Sequence, residues 1–491
     1  MRALRFTAAV SFAASLAGCA DRAPRASAPR PAAPTLQSAP PPRAAAGAPS
    51  IDDVVASIRA DAARSSGAFE IVKSLTEEVG PRLAGSAGDA RAVAWAERTL
   101  AARGLSGVHS EPVTVPHWER GAESAELVVS GKPETLDVTA LGGSEGTKAG
   151  GLDAEVVGAA SLDDAEHLDP AAVRGKIVFI DTATERTRDG GGYGRAVKAR
   201  VFASQKMAPL GAAAVIIRAI GTDTTTPHTG VMANGPIPAA ALSGDSAAKV
   251  KAAIAAGKHP HIRLHLGARR LPDAQSANVI GEVRGRERPD EIVLLGAHLD
   301  SWDLGAGALD DGAGCAIVVE AARLVATRAR APRRTVRVVL YAAEENGVEG
   351  RNGGRTYTAA HETELARHVA AMEADAGDGR VFAARGSGAE TAVARFDDVF
   401  RALAPLDVSH EAGRAHPGSD ITSLLERGVP VIELAQDMTR YFDVHHTRND
   451  RLDRIDAAAL AQASTAFAIT AYVAAEMDGD FGRAPEAPRK N

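Results

Sequence analysis

Six side chains, His298, Asp310, Glu344, Glu345, Asp375 and His446, are of the types that hold divalent metal ions and move protons. Zinc takes imidazole nitrogen and carboxylate oxygen, and a catalytic zinc keeps one position open for water. Two such ions about 3.5–4 Å apart share a bridging ligand and clamp an attacking water and the oxygen opposite it. That chemistry needs one bridging carboxylate, two further ligands for each ion, and a carboxylate base that binds neither. The six supply that inventory. Glu344 and Glu345, being adjacent, suit a division of labour in which one reaches a metal and its neighbour faces the water. Asp300, two residues after His298, can accept the imidazole N–H and fix the tautomer of that ring. Taken singly, such residues are bland, because a strand-end carboxylate is usually a helix cap and a lone His is usually structural. What sets these apart is where they fall together.

All but Asp310, which stands ten residues after Asp300, follow an apolar run. Residues 291–297 read as a buried strand ending on His298 and Asp300, and 335–343 end on Glu344 and Glu345. Residues 369–372 lead into Asp375, and 429–434 lead towards His445, His446 and Thr447. An open parallel sheet places its active site at that end of its strands. Helical spacing predicts helices over 68–78, 88–103, 314–328 and 457–477, with Gly80-Pro81 and Gly104 as stops. Residues 111–116 carry two prolines and read as an edge strand. Residues 278–283 read as a further strand, and 334–343 as a central one. Strands alternating with helices predict an α/β domain, a mixed, mostly parallel sheet flanked by helices, built from 51–119 and 276–480. Between 120 and 275 the texture changes to short strands and Gly-rich turns that carry none of the six donors, so this stretch reads as an inserted domain. Its His228, His259, His261 and His265 are irregularly spaced and read as surface residues. The further acids Glu282, Glu320, Glu373 and Glu433 read as structural, and 481–491 as a C-terminal tail.

The chain has 491 residues, 45% hydrophobic and 24% charged, which suits two or three globular domains. A net charge of −6 and the lack of a basic block exclude nucleic acid as an expected partner. Arg2 and Arg5 precede the short apolar stretch 6–16 and then Leu16-Ala17-Gly18-Cys19, a targeting segment too short for a stable membrane span. It resembles a bacterial lipobox, which implies a signal peptide over 1–19, lipidation of Cys19 and membrane attachment through that lipid. Ala20 after the Cys then favours the outer membrane. Residues 20–50, rich in Pro, Ala and Arg, read as a disordered tether. Cys315 is left without a disulfide partner and reads as a buried small hydrophobe.

The motifs H-L-D-S-W-D, A-L-D-D-G-A-G, A-A-E-E-N-G, M-E-A-D-A-G and H-H-T-R-N-D together resemble the clan MH di-zinc exopeptidases. V-G-P-R-L-A-G-S and V-P-H-W-E-R-G extend the likeness, which covers about residues 65–478. G-K-I-V-F-I, G-A-A-A-V-I-I and I-P-A-A-A-L-S in the insertion resemble a protease-associated domain. The resemblance implies two Zn2+ ions, with Asp310 bridging them and joined to Asp311 by a cis peptide. It also implies Glu345 and His446 as ligands, His298 and Asp375 as terminal ligands of different ions, and Glu344 as the general base. His445 would stand beside the site and steady the oxyanion. Arg451 departs from the family's D-T continuation, which puts the hydrogen bonding around Asp450 in question.

The implied activity is hydrolysis of dipeptides or short peptides outside the cytoplasm, by a carboxypeptidase, a dipeptidase or an aminopeptidase. Arg440 and Arg448, near His446, are candidates for a substrate carboxylate, and Asp420 for a substrate amine. A one-zinc glutaminyl cyclase-type acyltransferase and a non-catalytic receptor are alternatives on the same fold, and the full donor set argues against both. A homodimer is the protein partner this reading allows.

Overall fold

The computed structural model describes residues 49–233, 235–347 and 351–485. Cys19, and with it the lipidation signal, lies outside the described residues. Two eight-stranded mixed sheets organise the rest. The first runs, in spatial order, through strands Ser106–Glu119, Arg269–Val283, Arg334–Tyr341, Arg288–His298, His368–Glu373, Val431–Gln436, Val381–Ser387 and Ser409–His410. Its four central strands, from Arg334–Tyr341 to Val431–Gln436, are mutually parallel, and the pairings towards the Ser106–Glu119 edge are antiparallel.

Parallel strands buried on both faces read as near-continuous apolar runs, and these four are apolar through their middles, with charged residues such as Arg334, Glu373 and Glu433 among the exceptions. Val293, Leu295, Val336, Val338, Ala370 and Met372 face one core, beneath helices Gly314–Ala326 and Ala457–Glu476. Ile292, Leu294, Val339, Tyr341 and Ala371 face the other, with Tyr357 and Leu424. Helix Ala457–Glu476 is long and apolar enough to cross a bilayer, but it is a core helix, 83% buried. Helix Ile51–Arg64 packs against it through Val54, Val55 and Ile58, after a reciprocal cap in which Ser50 and Asp53 bond each other's backbone N–H.

The second sheet draws only on residues 123–266, in the order Lys132–Leu136, Glu123–Val129, His261–Leu266, Leu152–Ala159, Ile177–Ile180, Ala214–Arg218, Ala239–Leu242 and Val138–Ala140. It has its own cores, with Ile177, Phe179 and Ile216 on one face and Val178, Ile180 and Ile217 on the other. The chain leaves the first sheet at Glu119 and re-enters it at Arg269, the residue paired with Glu119. The strand beginning at Arg269 thus belongs to the first sheet, although residues up to 275 read from sequence as part of the insertion. The C-terminal end also differs from a free tail, since Phe481 is fully buried and Ala484 nearly so. His228 is buried rather than on the surface, its Nε2 bonding the Asp223 carbonyl.

Candidate metal and peptidase centre

Register brings the donors together. His298 ends its strand level with Tyr341, so Glu344 and Glu345 leave the sheet beside it, and Gly296 is level with Glu373, two residues before Asp375. Asp310 comes from the tight turn Ala308–Ala313, whose Asp310–Asp311 peptide is cis. His446 lies on the loop after strand Val431–Gln436. The backbone is left-handed at Ala343 (φ 56°) and at His446 (φ 61°), a conformation most side chains avoid and one found mostly where a site over-determines it.

Asp310 lies at the centre. Its Oδ1 is 3.3 Å from His298 Nε2, and its Oδ2 is 3.2 Å from His446 Nε2. On the first side, Asp375 Oδ1 lies 3.6 Å from His298 Nε2; on the second, Glu345 Oε2 lies 2.9 Å from His446 Nε2. The geometry therefore groups His298 with Asp375 and His446 with Glu345, across one shared carboxylate. The expectation that His298 and Asp375 serve different ions does not fit, because both stand on the same side of Asp310. His445 stacks on His446 with ring centroids 3.5 Å apart, and its Nε2 is 3.6 Å from Asp310 Oδ2.

Hydrogen bonds hold these groups in place. Asp300, fully buried, accepts the N–H groups of Glu344 at 3.0 Å and Glu345 at 3.3 Å, while its carbonyl lies 3.2 Å from His298 Nδ1. Asp311 accepts the N–H of His298. Asp450 accepts the N–H groups of Ala308, Leu309 and Asp310, so the hydrogen bonding that Arg451 put in question is complete.

The electrostatics call for positive charge. Burial raises Glu345 well above the ordinary carboxylate range, and Asp310 beside it adds to the rise. Burial opposes charge on His298, yet Asp300, Asp310 and Asp375 outweigh it and hold that imidazole well above its usual value. Buried, uncompensated charge costs several kcal/mol. Asp310 Oδ2 and Glu345 Oε1 have no hydrogen-bond partner among the described residues. Two imidazoles and three carboxylates around partnerless oxygens are a donor set that divalent zinc fits. Burial lowers His446, with the Arg200 guanidinium acting in the same direction against Asp310, so its ring is neutral, as a ligand must be. Burial raises Glu344, and Asp375 adds to it, towards the range useful to a base.

A cavity of about 260 Å³ opens on Asp310, Glu344, Glu345, Asp375 and His446, and the second-sheet domain closes it with Tyr193 and Arg200. A larger one, about 770 Å³, continues from Asp375 past Glu373, Phe382, Arg414 and His416. Neither Arg440 nor Arg448 lines either cavity. Arg448 is exposed and pairs with Asp137 at 2.7 Å, and Arg440 is exposed near Asp378 and the Arg454 carbonyl. Sequence proximity to His446 misplaced both. Arg200, unremarked in the sequence, is buried and bonds the Tyr193 hydroxyl at 2.6 Å, and its Nε has no partner among the described residues. Asp420 is buried behind Glu344 with both oxygens partnerless and lines neither cavity. Glu373, read as structural, accepts the N–H groups of Asp420 and Ile421 and borders the larger cavity.

Residues 278–471 match the sequence signature of peptidase family M28. Carboxypeptidase Q of Mus musculus is 35% identical over 415 residues, 84% of this chain and 86% of the mouse protein. A peptidase M28 precursor from Shewanella amazonensis SB2B, whose crystal structure is solved, is 44% identical. It superposes with a TM-score of 0.86 over 89% of this chain and 99% of its own. A zinc aminopeptidase from Bacillus subtilis, 21% identical, shares the fold at a TM-score of 0.60 over 86% of this chain and 97% of its own. Likeness of this extent goes well beyond the donor motifs, and the chain belongs to peptidase family M28, alongside carboxypeptidase Q.

Proposed function

We propose that the protein is a two-zinc exopeptidase that removes the C-terminal residue from dipeptides and short peptides. The observation that carries this reading is the grouping of His298 with Asp375 and of His446 with Glu345 across Asp310, with Glu344 in the same cavity. His298, Asp375 and Asp310 would hold one ion, and His446, Glu345 and Asp310 the other. Bound zinc supplies Lewis acidity, acidifying a water and polarising the scissile carbonyl. The chain's own groups do the rest. Glu344 accepts the water's proton and returns it to the leaving amine. His445, kept neutral by burial and by the neighbouring His446, faces the cavity and can donate to the developing oxyanion.

Arg200 supports the carboxypeptidase direction, because its guanidinium faces the cavity where a C-terminal carboxylate would lie. Burial pushes Tyr193 up to about 12, so its hydroxyl stays protonated and can join that recognition. The small cavity falls below the roughly 300–1,000 Å³ of common ligand pockets and suits one residue; the larger one falls within that range and suits the acyl side. The aminopeptidase alternative rests on Asp420 and Glu373 behind Glu344. The glutaminyl cyclase-type and receptor alternatives are disfavoured by a donor set complete for two ions and by the base beside it.

The test compares a free dipeptide with its N-acetylated and C-amidated forms, in wild type and Arg200→Met. Losing the partner of a buried charge costs about 2 kcal/mol or more, roughly 30-fold. Amidation and Arg200→Met should each lower kcat/KM for the free dipeptide by at least that factor, and Arg200→Met should cost the amide substrate less, since there only the contact of Arg200 with His446 Nδ1 at 3.2 Å is lost. Loss on acetylation alone would instead make the enzyme an aminopeptidase.

The second-sheet domain we read as a protease-associated domain, on its G-K-I-V-F-I and G-A-A-A-V-I-I strands. The N-terminal L-A-G-C supports an exported lipoprotein of the outer membrane. On that reading Cys19→Ser should move the protein from the membrane to the soluble fraction; unchanged fractionation, with no lipid on the mature N-terminus, would refute it. A homodimer remains part of the proposal only as the protein partner the family resemblance allows.

A further inference from the structure

The two halves of the donor cluster are supported from different domains. Around His298 and Asp375, the hydrogen-bond partners come from the segments of the first sheet: Asp300 and Asp311 for His298, and the Tyr441 hydroxyl 3.5 Å from Asp375. Around His446 and Glu345 they come from the second-sheet domain, or from a side chain seated in it. His446 Nδ1 lies 3.3 Å from the Thr229 carbonyl and 3.2 Å from the Arg200 guanidinium of the same domain, and the Thr229 N–H donates back to the His446 carbonyl at 3.0 Å. Glu345 Oε2 accepts the Trp302 indole N–H at 2.5 Å, leaving Oε1 without a partner.

Trp302 follows His298 in sequence, but its ring belongs to the second sheet's core. It lies edge-on to Trp118 with centroids 6.3 Å apart, and a Cβ on Gly142 would fall 1.9 Å from the ring, so only glycine fits there. Arg120 fastens the same corner. It grips Asp303 with two bonds of 2.8 and 2.6 Å and reaches the Thr229 hydroxyl at 3.2 Å and the Ala140 carbonyl at 2.6 Å. A Cβ on Gly230 would lie 2.6 Å from His446 Nδ1, so the backbone there passes close against the ligand ring.

We propose that Trp302 and the Thr229 carbonyl are positioning groups for the Glu345–His446 half-site alone, so that the second-sheet domain sets the affinity of one of the two ions. This rests on the two-zinc reading above. A ligating His that donates its other N–H to a carbonyl is fixed in tautomer and orientation, and a ligating carboxylate is fixed by its own donor. Loss of such a partner typically weakens metal binding by about 10–100-fold. The half-site of His298 and Asp375 has no contact with these groups and should not feel it.

Trp302→Phe keeps an aromatic ring at the position but removes the indole N–H, together with the outer ring atoms that fill the Gly142 notch. Titration of the full chain with zinc against a chromophoric chelator should resolve two binding steps in wild type. In the variant one step should weaken by about 10–100-fold while the other stays in place. The emptied notch should lower the melting temperature of the metal-free protein, so the control is the second zinc step, which general loosening would weaken along with the first. Thr229→Val, which removes the hydroxyl bonded to Arg120 and Ala140 and leaves both rings untouched, should weaken the same step less. It decides the matter if Trp302→Phe does not fold. Wild-type protein that binds fewer than two zincs overturns the two-zinc reading itself. Two zincs in wild type, with both steps unmoved or both moved together in the variants, overturn this inference alone.

Discussion

Glu344→Gln should keep two zincs per chain and lose about 10²–10⁴-fold in kcat, the range a positioned general base contributes. The amide is nearly isosteric with the carboxylate, and the bonds that seat this turn run from the backbone N–H groups of residues 344 and 345 to Asp300, so they survive the change. What disappears is a group that can take a proton from water and give it to an amine. Because only the ionised form can act as base, wild-type kcat/KM should fall as pH drops through the Glu344 pKa, which burial raises above the usual value. That acid limb should be missing from the residual activity of the variant. Zinc analysis beside steady-state kinetics on a free dipeptide checks both halves. Near-normal turnover in the variant would remove Glu344 from the chemistry.

Asp310→Ala should cost metal and activity together. One oxygen of this carboxylate faces His298 and the other faces His446, so the truncation strips a ligand from both half-sites in one step. Lewis acidity worth several kcal/mol disappears with the ions, and each 1.36 kcal/mol is a factor of ten, so activity should fall by about 10³-fold or more. Glu345→Ala makes the contrast, since its carboxylate lies closest to His446, at 2.9 Å, and one zinc should remain. Dialysis against a weak chelator followed by metal analysis distinguishes the two. Retention of both zincs by Asp310→Ala would show that the carboxylate does not bridge.

Most of the donors were legible in sequence because they follow apolar runs whose ends the parallel sheet aligns, whereas Asp310, on the turn Ala308–Ala313, follows none. His298, Glu344, Glu345 and Asp375 needed only that rule. The grouping of the donors did not follow from it: which of them stand together depends on the side of Asp310 they approach, and order along the chain does not encode that. Arg440 and Arg448 failed for a related reason, since the chain between Tyr441 and Asp450 folds tightly and turns its neighbours' guanidinium groups outward. Arg200 and Thr229 carried no local signal at all. Arg200, on helix Lys198–Met207, and Thr229, on a loop, belong to the separately cored second-sheet domain, and only its packing on the His445–His446 loop brings them to the site. Trp302 was visible as part of S-W-D, but its indole N–H acquires a role through a notch at Gly142, far away in sequence. The strand Val381–Ser387 escaped notice because its Ala-Ala-Arg-Gly run lacks the branched residues that mark its neighbours.

The paired exit and re-entry at Glu119 and Arg269 also fix an order in which the protein can be completed. The second sheet is one continuous stretch, so its strands can all pair once residue 266 has emerged, although one of its cores is completed later by Trp302. The first sheet is interrupted. Its edge strand Ser106–Glu119 has no partner until Arg269–Val283 follows, and helix Ile51–Arg64 must wait for its main partner Ala457–Glu476, the last helix among the described residues. Closing long loops adds little to the equilibrium cost but slows folding, because the entropy is spent before distant contacts form. Throughout that interval the apolar face of Val54, Val55 and Ile58 lies bare. The growing chain is therefore most prone to aggregate at its N-terminal end, and loss of the final helix alone would leave that end uncovered for good.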